Sequence, residues 1–567
     1  MSSITSPASS DHDDIYGPFM VEASTATDVP ARASRLNGAL VGAAAALAAS
    51  GVMLWAGRSW DGAVLPQLIS DRMTGIIPVS MFGQALGALE SNAKALTLVM
   101  LTLLQVGLGA LVGWSYARYT RSDVNRIRRA LLLTAGVWAF LSFVAAPLGQ
   151  IGLLAVNAPV GAWSTQGVFV LTASIFGVLL AVFVPWPVAN AHGTQAVDES
   201  RRGVLRLAGI SALAVPALAA AWYTGDVAQS IRRKSSIKPS RIEAPVTSPS
   251  DPGTDAADTP VAPPEGFQFA GMPLEVTPND EFYVVSKNIS DPTVEGIEWS
   301  LEISGLVERP MNLSLTDVQM RESGEFSSTL LCISNPVGGN YISTAVWTGF
   351  PLAELLEEAG IKDGIVDIEL HAADGYIESI PLAEALAPDT MLVHTINGEE
   401  LPDEHGYPLR LIVPGIYGMK NVKWIEKIIA VDHDVIGFWQ ERGWSDIATV
   451  QTMSRIDTPQ GDDKLTVGVP FRAGGVAFGS DRGIATVEVS FDDGDTWQEA
   501  ELDEPLAKNA WRLWAINHTP ATTGRLSIAV RATDGTGTTQ TEEKNEPLPD
   551  GASGLHQIKV KVEGADA

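Results

Sequence analysis

One cysteine occurs in the 567 residues, and its surroundings hold the side chains best placed to do chemistry. Cys332 lies in residues 327–360, SSTLLCISNPVGGNYISTAVWTGFPLAELLEEAG. An apolar run of strand type leads in, a Gly/Asn/Pro loop follows, and Leu352, Leu355 and Leu356 then fall at helical spacing. A thiol at a strand end, opening into a glycine-rich loop, can ligate a soft metal or serve as a nucleophile. The same thiol can equally be a small buried hydrophobe, the commonest fate of a free cysteine.

What must position that thiol is set by size and charge. The length implies two or three domains. A single cysteine forbids an internal disulfide and excludes a Cys-rich zinc or iron–sulfur site. Residues 1–239 hold 17 Lys/Arg and 12 Asp/Glu, a net of +5, whereas residues 240–567 hold 21 and 54, a net of −33. The front is apolar and mildly basic, and the rear is soluble and strongly acidic. Nucleic acid and anionic lipid would repel that rear part, so nucleic-acid binding is not expected.

Residues 1–34 lack apolar periodicity and read as a disordered tail. Five apolar spans follow, near 37–57, 94–117, 130–151, 165–186 and 204–223, which predicts a five-helix transmembrane anchor over 35–225. Residues 61–92 are amphipathic and Pro-broken, which suits an interfacial or re-entrant segment. Gly109 and Gly113 form a small-xxx-small face suited to helix packing. Arg118, Arg121, Arg126, Arg128 and Arg129 crowd the second loop, while 152–164 is uncharged. The positive-inside rule then puts the N-terminus in the cytoplasm and, after five crossings, the C-terminal part outside it. The expected location is thus the cell membrane, multi-pass, with the soluble domain on the extracytoplasmic side. Residues 200–206, SRRGVLR, resemble a twin-arginine export signal with Val and Arg where Phe and Lys are usual. An ordinary cytoplasmic-side Arg pair would read the same. None of the eight histidines falls in a span, so the bundle reads as an anchor rather than a haem carrier. Residues 226–265, rich in Pro, Ser and Asp, read as an extended linker.

From Pro278 short strands alternate with helices, as in an α+β domain over 266–459. Residues 397–428, NGEELPDEHGYPLRLIVPGIYGMKNVKWIEKI, resemble the signature of the sulfite oxidase family of molybdopterin enzymes. So do the Cys332 stretch, Ala373-Asp374-Gly375-Tyr376 before SIPLAEAL, and Phe438-Trp439-Gln440-Glu441-Arg442-Gly443-Trp444. The likeness covers about 280 residues with its motifs in order. It implies a molybdenum bound by one protein thiolate, Cys332, and two pterin dithiolene sulfurs, which suits a chain with one cysteine. The pterin ends in a phosphate, for which His405, Arg410 and Lys423 would supply donors and cations. By the same resemblance, Asp374 would meet the pterin ring amines and Asn421 and Val422 would offer main-chain contacts. Tyr283, Val284, Val285, Ser286 and Lys287 would form the first pterin-contact segment.

This chain departs from the family pattern where substrate is held. Sulfite oxidases place an arginine soon after the cysteine and another at the position that aligns with Val285. Here residues 333–343 carry no basic side chain. Their catalytic tyrosine aligns with Trp444, which has no phenol to exchange a proton. The expected substrate is therefore a small neutral S-oxide or N-oxide, with sulfite oxidation as the alternative. A non-catalytic surface protein that kept the fold is the reading from a different class. Because no segment resembles a haem-binding domain, electrons would pass through a separate cytochrome or quinone.

Residues 460–567 alternate in period two, as in 485–491 and 526–532, with turns at Asp493-Gly494 and Asp534-Gly535. That predicts an immunoglobulin-like sandwich. It resembles the dimerisation domain attached to sulfite oxidases, which implies a homodimer.

Overall fold

The structure is a computed structural model that describes residues 35–60, 62–76, 93–119, 126–158, 161–184, 265–288 and 291–564. The predicted tail, the fifth apolar span, the twin-arginine-like segment and most of the linker lie outside these residues.

The N-terminal part is helical: α1 (Arg35–Ser59), α2 (Leu65–Ile76), α3 (Ala93–Tyr119), α4 (Arg126–Phe140) and α5 (Ala162–Phe183). Among the described residues four helices are long and apolar enough to cross a membrane: α1, α3, α4 with its continuation to Leu148, and α5. The stretch expected to be interfacial forms α2 within its first half, and 77–92 lie outside the described residues. Helices α1 and α3 approach through glycines. A Cβ on Gly42 would collide with the Gly109 carbonyl and lie 2.9 Å from Gly113 Cα, the close backbone contact that small residues permit in a bilayer. Helix α4 runs on through a π turn, Leu141–Ala145, into Ala146–Leu148. Pro147 has no N–H to continue the ladder, and the widened turn absorbs that break. Leu103, Leu104, Leu108 and Leu111 of α3 are exposed, an apolar face that water would not tolerate and lipid tails would.

The middle part packs two sheets. The first has the order β2-β1-β10-β5-β6, where β1 is Ser300–Gly305, β2 Met311–Ser314, β5 Asp367–Ala372, β6 Ile377–Pro381 and β10 Ile425–Val431. Strands β1 and β10 run parallel and the other pairs antiparallel. Helix α6 (Leu352–Ala359) buries Leu352, Leu355 and Leu356 against Leu301, Ile368, Leu370 and Ile428 of this sheet, as its i, i+3, i+4 pattern predicts. The second sheet joins β3 (Gly324–Leu331), β4 (Ile342–Pro351), β7 (Met391–Ile396) and β8 (Glu399–Glu400), with β9 (Arg410–Ile412) added to β7. Cys332 is the residue immediately after β3, so a paired strand sets its position.

The C-terminal part is two facing sheets. One has the order β11-β13-β17-β16 and the other β12-β19-β18-β14-β15. Their strands are β11 Met453–Thr458, β12 Lys464–Thr466, β13 Phe471–Phe478, β14 Ile484–Ser490, β15 Gln498–Glu499, β16 Glu501–Leu502, β17 Arg512–His518, β18 Gly524–Asp534 and β19 His556–Glu563. Val487, Val489, Trp514, Ile528, Val530 and Val560 fill the space between them. Strand β11 pairs with β13, so this unit takes in residues before the expected boundary at 460. MSRIDT alternates as well for either neighbour, and only long-range pairing assigns it.

Candidate active site

All thirteen side chains singled out from the sequence line one cavity of about 800 Å³, measured with its open mouth. They arrive from separate elements: Tyr283 to Lys287 from an extended segment, Cys332 from the end of β3, Asp374 from the β5–β6 turn. His405 and Arg410 flank the start of β9, Asn421 to Lys423 precede β10, and Trp444 lies beyond. The lining, apolar walls with a few convergent polar groups, fits a small-molecule or cofactor site. Among the described residues no group of three or more His, Cys, Asp or Glu could hold a metal, and Cys332 is the thiol in the cavity lining.

Cys332 is buried, its Sγ 3.1 Å from Ser334 Oγ. Burial pushes the thiol up from its ordinary value, with the Ser334 hydroxyl partly opposing. A metal cation would reverse that by favouring the thiolate. Tyr283 feels both the Cys332 sulfur and Arg410, and burial holds its phenol well above the usual range.

Arg410 is buried beneath the cavity and stacks over Trp347 at 5.1 Å. Its Nη1 donates to the His405 carbonyl at 2.9 Å and its Nη2 to the Asn421 carbonyl at 3.4 Å. Among the described residues its Nε has no hydrogen-bond partner, and burial lowers the group to about 10. A desolvated cation with an unused donor is a site prepared for an anion. Gly406, at φ +111°, closes the loop above it: a Cβ there would stand 2.9 Å from Lys423 Cβ and 3.2 Å from Arg410 Cβ. Lys423 donates to the Glu404 carbonyl at 2.9 Å and lies over Trp424.

Of the three residues expected to supply donors and cations, His405 is not a cation. Burial drops it to about 3, so the ring is neutral, and its Nε2–H is directed to the Asn279 carbonyl at 3.0 Å. Asp374 accepts from the Tyr376 amide on Oδ1 at 2.9 Å and from Asn288 Nδ2 on Oδ2 at 2.7 Å, with Lys287 3.6 Å away. The carbonyl of Asn421 receives Arg410 and that of Val422 receives the Leu411 amide.

Residues 288–439 match the family profile described as the oxidoreductase molybdopterin binding domain, and 445–555 match the Mo-co oxidoreductase dimerisation domain. Residues 288–555 thus carry the domain pair of the sulfite oxidase family. Rat mitochondrial sulfite oxidase is 29% identical over 308 residues, covering 46% of this chain and 56% of that protein. The NADH nitrate reductase of Cucurbita maxima is 29% identical over 334 residues, covering 47% of this chain and 36% of that protein. This chain thus spans about half the length of the sulfite oxidases it matches. The sulfane dehydrogenase SoxCD from Paracoccus pantotrophus aligns at 24% identity with a TM-score of 0.45, over 51% of this chain and 83% of that one.

The cofactor of the sulfite oxidase family is the molybdenum cofactor, and the residues present fit it. A lone soft ligand meets the metal's need for sulfur, and the unpaired Nε of Arg410 under the Gly406 loop meets a phosphate's need for donors. Bound there, the group would supply two-electron redox chemistry, and Cys332, Arg410 and Lys423 would hold it.

Sequence reasoning passed over several lining residues. Trp439 stacks on Trp444 with ring centroids 4.1 Å apart, and Tyr376, Met419 and Trp424 also face the cavity. Trp439 and Tyr376 stand inside motifs already recognised, so their proximity to Trp444 and Asp374 was the available signal.

Proposed function

We propose that this protein is a membrane-anchored molybdenum-cofactor oxidoreductase that transfers an oxygen atom from a neutral S-oxide or N-oxide. The observation that carries this reading is the lining of the Cys332 cavity. Val285, Leu330, Trp439 and Trp444 contribute apolar surface, and the cationic heads that reach it are engaged elsewhere. Lys287 bonds to Asn288 and the Asp374 carbonyl and Lys423 to the Glu404 carbonyl, while Arg410, with two carbonyl partners, keeps only its Nε, which the cofactor phosphate would take. A dianion needs several uncommitted charge-assisted donors, whereas a neutral oxide needs apolar walls and one donor to its oxygen.

Four apolar helices support a multi-pass anchor. The arginine-rich second loop favours an extracytoplasmic soluble part, and residues 200–206 resemble the export signal such a part would use. The C-terminal sheets support an immunoglobulin-like sandwich serving a homodimer, and a separate cytochrome or quinone would exchange the electrons.

Sulfite oxidation is the second reading, favoured by the similarity to mitochondrial sulfite oxidases. Turnover of the purified holoprotein against sulfite and a panel of sulfoxides and N-oxides, with artificial electron carriers, separates the two. Reduction of neutral oxides with sulfite inert is expected; sulfite oxidation alone would overturn the first reading.

A further inference from the structure

Behind the cavity wall lies a buried cluster that holding the cofactor does not use. Tyr376 lines the cavity, and its hydroxyl sits 3.0 Å from Glu378 Oε2 and 2.9 Å from the Met419 carbonyl. Glu378, on β6, is wholly buried. Its Oε1 accepts from the Ser379 amide at 3.0 Å and from Lys420 Nζ at 3.1 Å, and its Oε2 accepts from Gln440 Nε2 at 3.2 Å. Lys420 Nζ also reaches the Ser379 carbonyl at 2.9 Å and Asp446 Oδ1 at 3.2 Å, and the Asp446 side chain is half exposed.

The proton count in this cluster decides its chemistry. A phenol has one hydrogen, and a carbonyl can only accept. If the Tyr376 hydroxyl donates to the Met419 carbonyl, its contact with Glu378 is satisfied only when Glu378 carries a proton and donates it. If instead it donates to an ionised Glu378, the Met419 contact is lost. The two arrangements differ by the position of one proton between Glu378 and the cavity wall. Burial raises Glu378 toward the protonated form and Lys420 opposes this. The titratable groups that face Glu378 are Tyr376 beside it and Lys420 from the 418–420 turn, with Asp446 behind Lys420; Asp374 acts on Tyr376 from the cavity side.

We infer that Tyr376 and Glu378 form a proton relay into the cavity, recharged from solvent through Lys420 and Asp446. This rests on the oxygen-transfer reading above. Reduction of a sulfoxide breaks the S–O bond and consumes two electrons, delivered by the external carrier through the cofactor, and two protons, releasing the sulfide and water. Oxidation of sulfite takes up water and releases two protons and two electrons, so either direction needs a proton route. Trp444 cannot be that route, because an indole only donates. Glu378 acts through Tyr376, which faces the reacting space.

The test uses the full-length holoprotein with Glu378→Gln, which keeps the shape and removes the transferable proton, and Glu378→Asp as the rescue. Expected are unchanged molybdenum content and KM, a fall in kcat of about 100-fold with loss of the corresponding limb of its pH profile, and partial recovery in Glu378→Asp. Infrared spectra recorded across the pH range should show a buried carboxyl band that titrates and that Glu378→Gln removes. Wild-type kcat and pH profile in Glu378→Gln, or no such band, would overturn the relay while leaving the enzyme reading intact. A wild-type holoprotein inert toward all oxides and sulfite would sink the reading itself and the relay with it. If Glu378→Gln does not fold, Tyr376→Phe removes a single oxygen atom and decides the same question by kcat, KM and metal content.

Discussion

Replacing Arg410 by Met separates a residue held for a ligand from one held for the fold. In the cofactor-free chain the guanidinium is buried, with two carbonyl partners and an idle Nε. Its descent from the ordinary guanidinium range to about 10 corresponds to about 3 kcal/mol against the charged form, at about 1.4 kcal/mol per unit. The folded value lies below the unfolded one, so this penalty is present throughout neutral pH and is relieved only as pH rises past about 10. Methionine keeps the aliphatic stem over Trp347 and removes the buried charge. It forfeits one good and one long hydrogen bond to charged donors, each worth about 1.5–3 kcal/mol at most. The loss of about 3–6 kcal/mol exceeds the gain by at most about 3, so urea denaturation of the cofactor-free protein should show a destabilisation of no more than about 3 kcal/mol. Cofactor retention should change far more. Loss of charge-assisted phosphate contacts predicts about a tenfold to hundredfold faster loss of molybdenum on dialysis. The reasoning is refuted if Arg410→Met retains cofactor like the wild type, or if the cofactor-free variant loses more than about 4 kcal/mol, which would make Arg410 a structural residue.

Gly406→Ala forces a left-handed backbone on a residue with a Cβ and drives it against Lys423 and Arg410. It should cost about 1–3 kcal/mol in denaturant melts and weaken cofactor retention as well. Val285→Arg restores a cation to the cavity lining and should lower the KM for sulfite by about tenfold or more, measured beside an unchanged or raised KM for a neutral sulfoxide. His556 is lowered to about 4 by burial, with Asp457 and Arg455 acting in opposite directions, and its Nδ1 accepts from the Ile456 amide at 2.9 Å. The unfolded chain takes up this proton first, so stability is full above about 6.5 and falls by up to about 3 kcal/mol as pH drops toward 4. His556→Asn keeps an acceptor and should flatten that slope in the difference between variant and wild-type melts.

Local sequence carried much of this architecture. Leu352, Leu355 and Leu356 announced the buried face of their helix, and the glycines at 109 and 113 announced the α1–α3 contact. The motif order placed thirteen residues from distant parts of the chain around one cavity. What stayed hidden depends on pairing and burial rather than on residue type. Strand Met453–Thr458 could join either neighbour by its alternation, and register with β13 decided the matter. The sequence left open whether His405 would act as donor or cation, and burial beside Arg410 and Lys423 leaves it neutral. Glu378 and Lys420 are 42 positions apart, and only the fold brings them within 3.1 Å.

The most direct test of the central claim is X-ray absorption at the molybdenum edge on wild-type protein and the Cys332→Ser variant. The account predicts molybdenum in the wild type with a protein thiolate beside the dithiolene sulfurs, and one sulfur scatterer fewer in the variant. Identical sulfur coordination in the two proteins, or no molybdenum in wild-type protein from a host that makes the pterin, would contradict it.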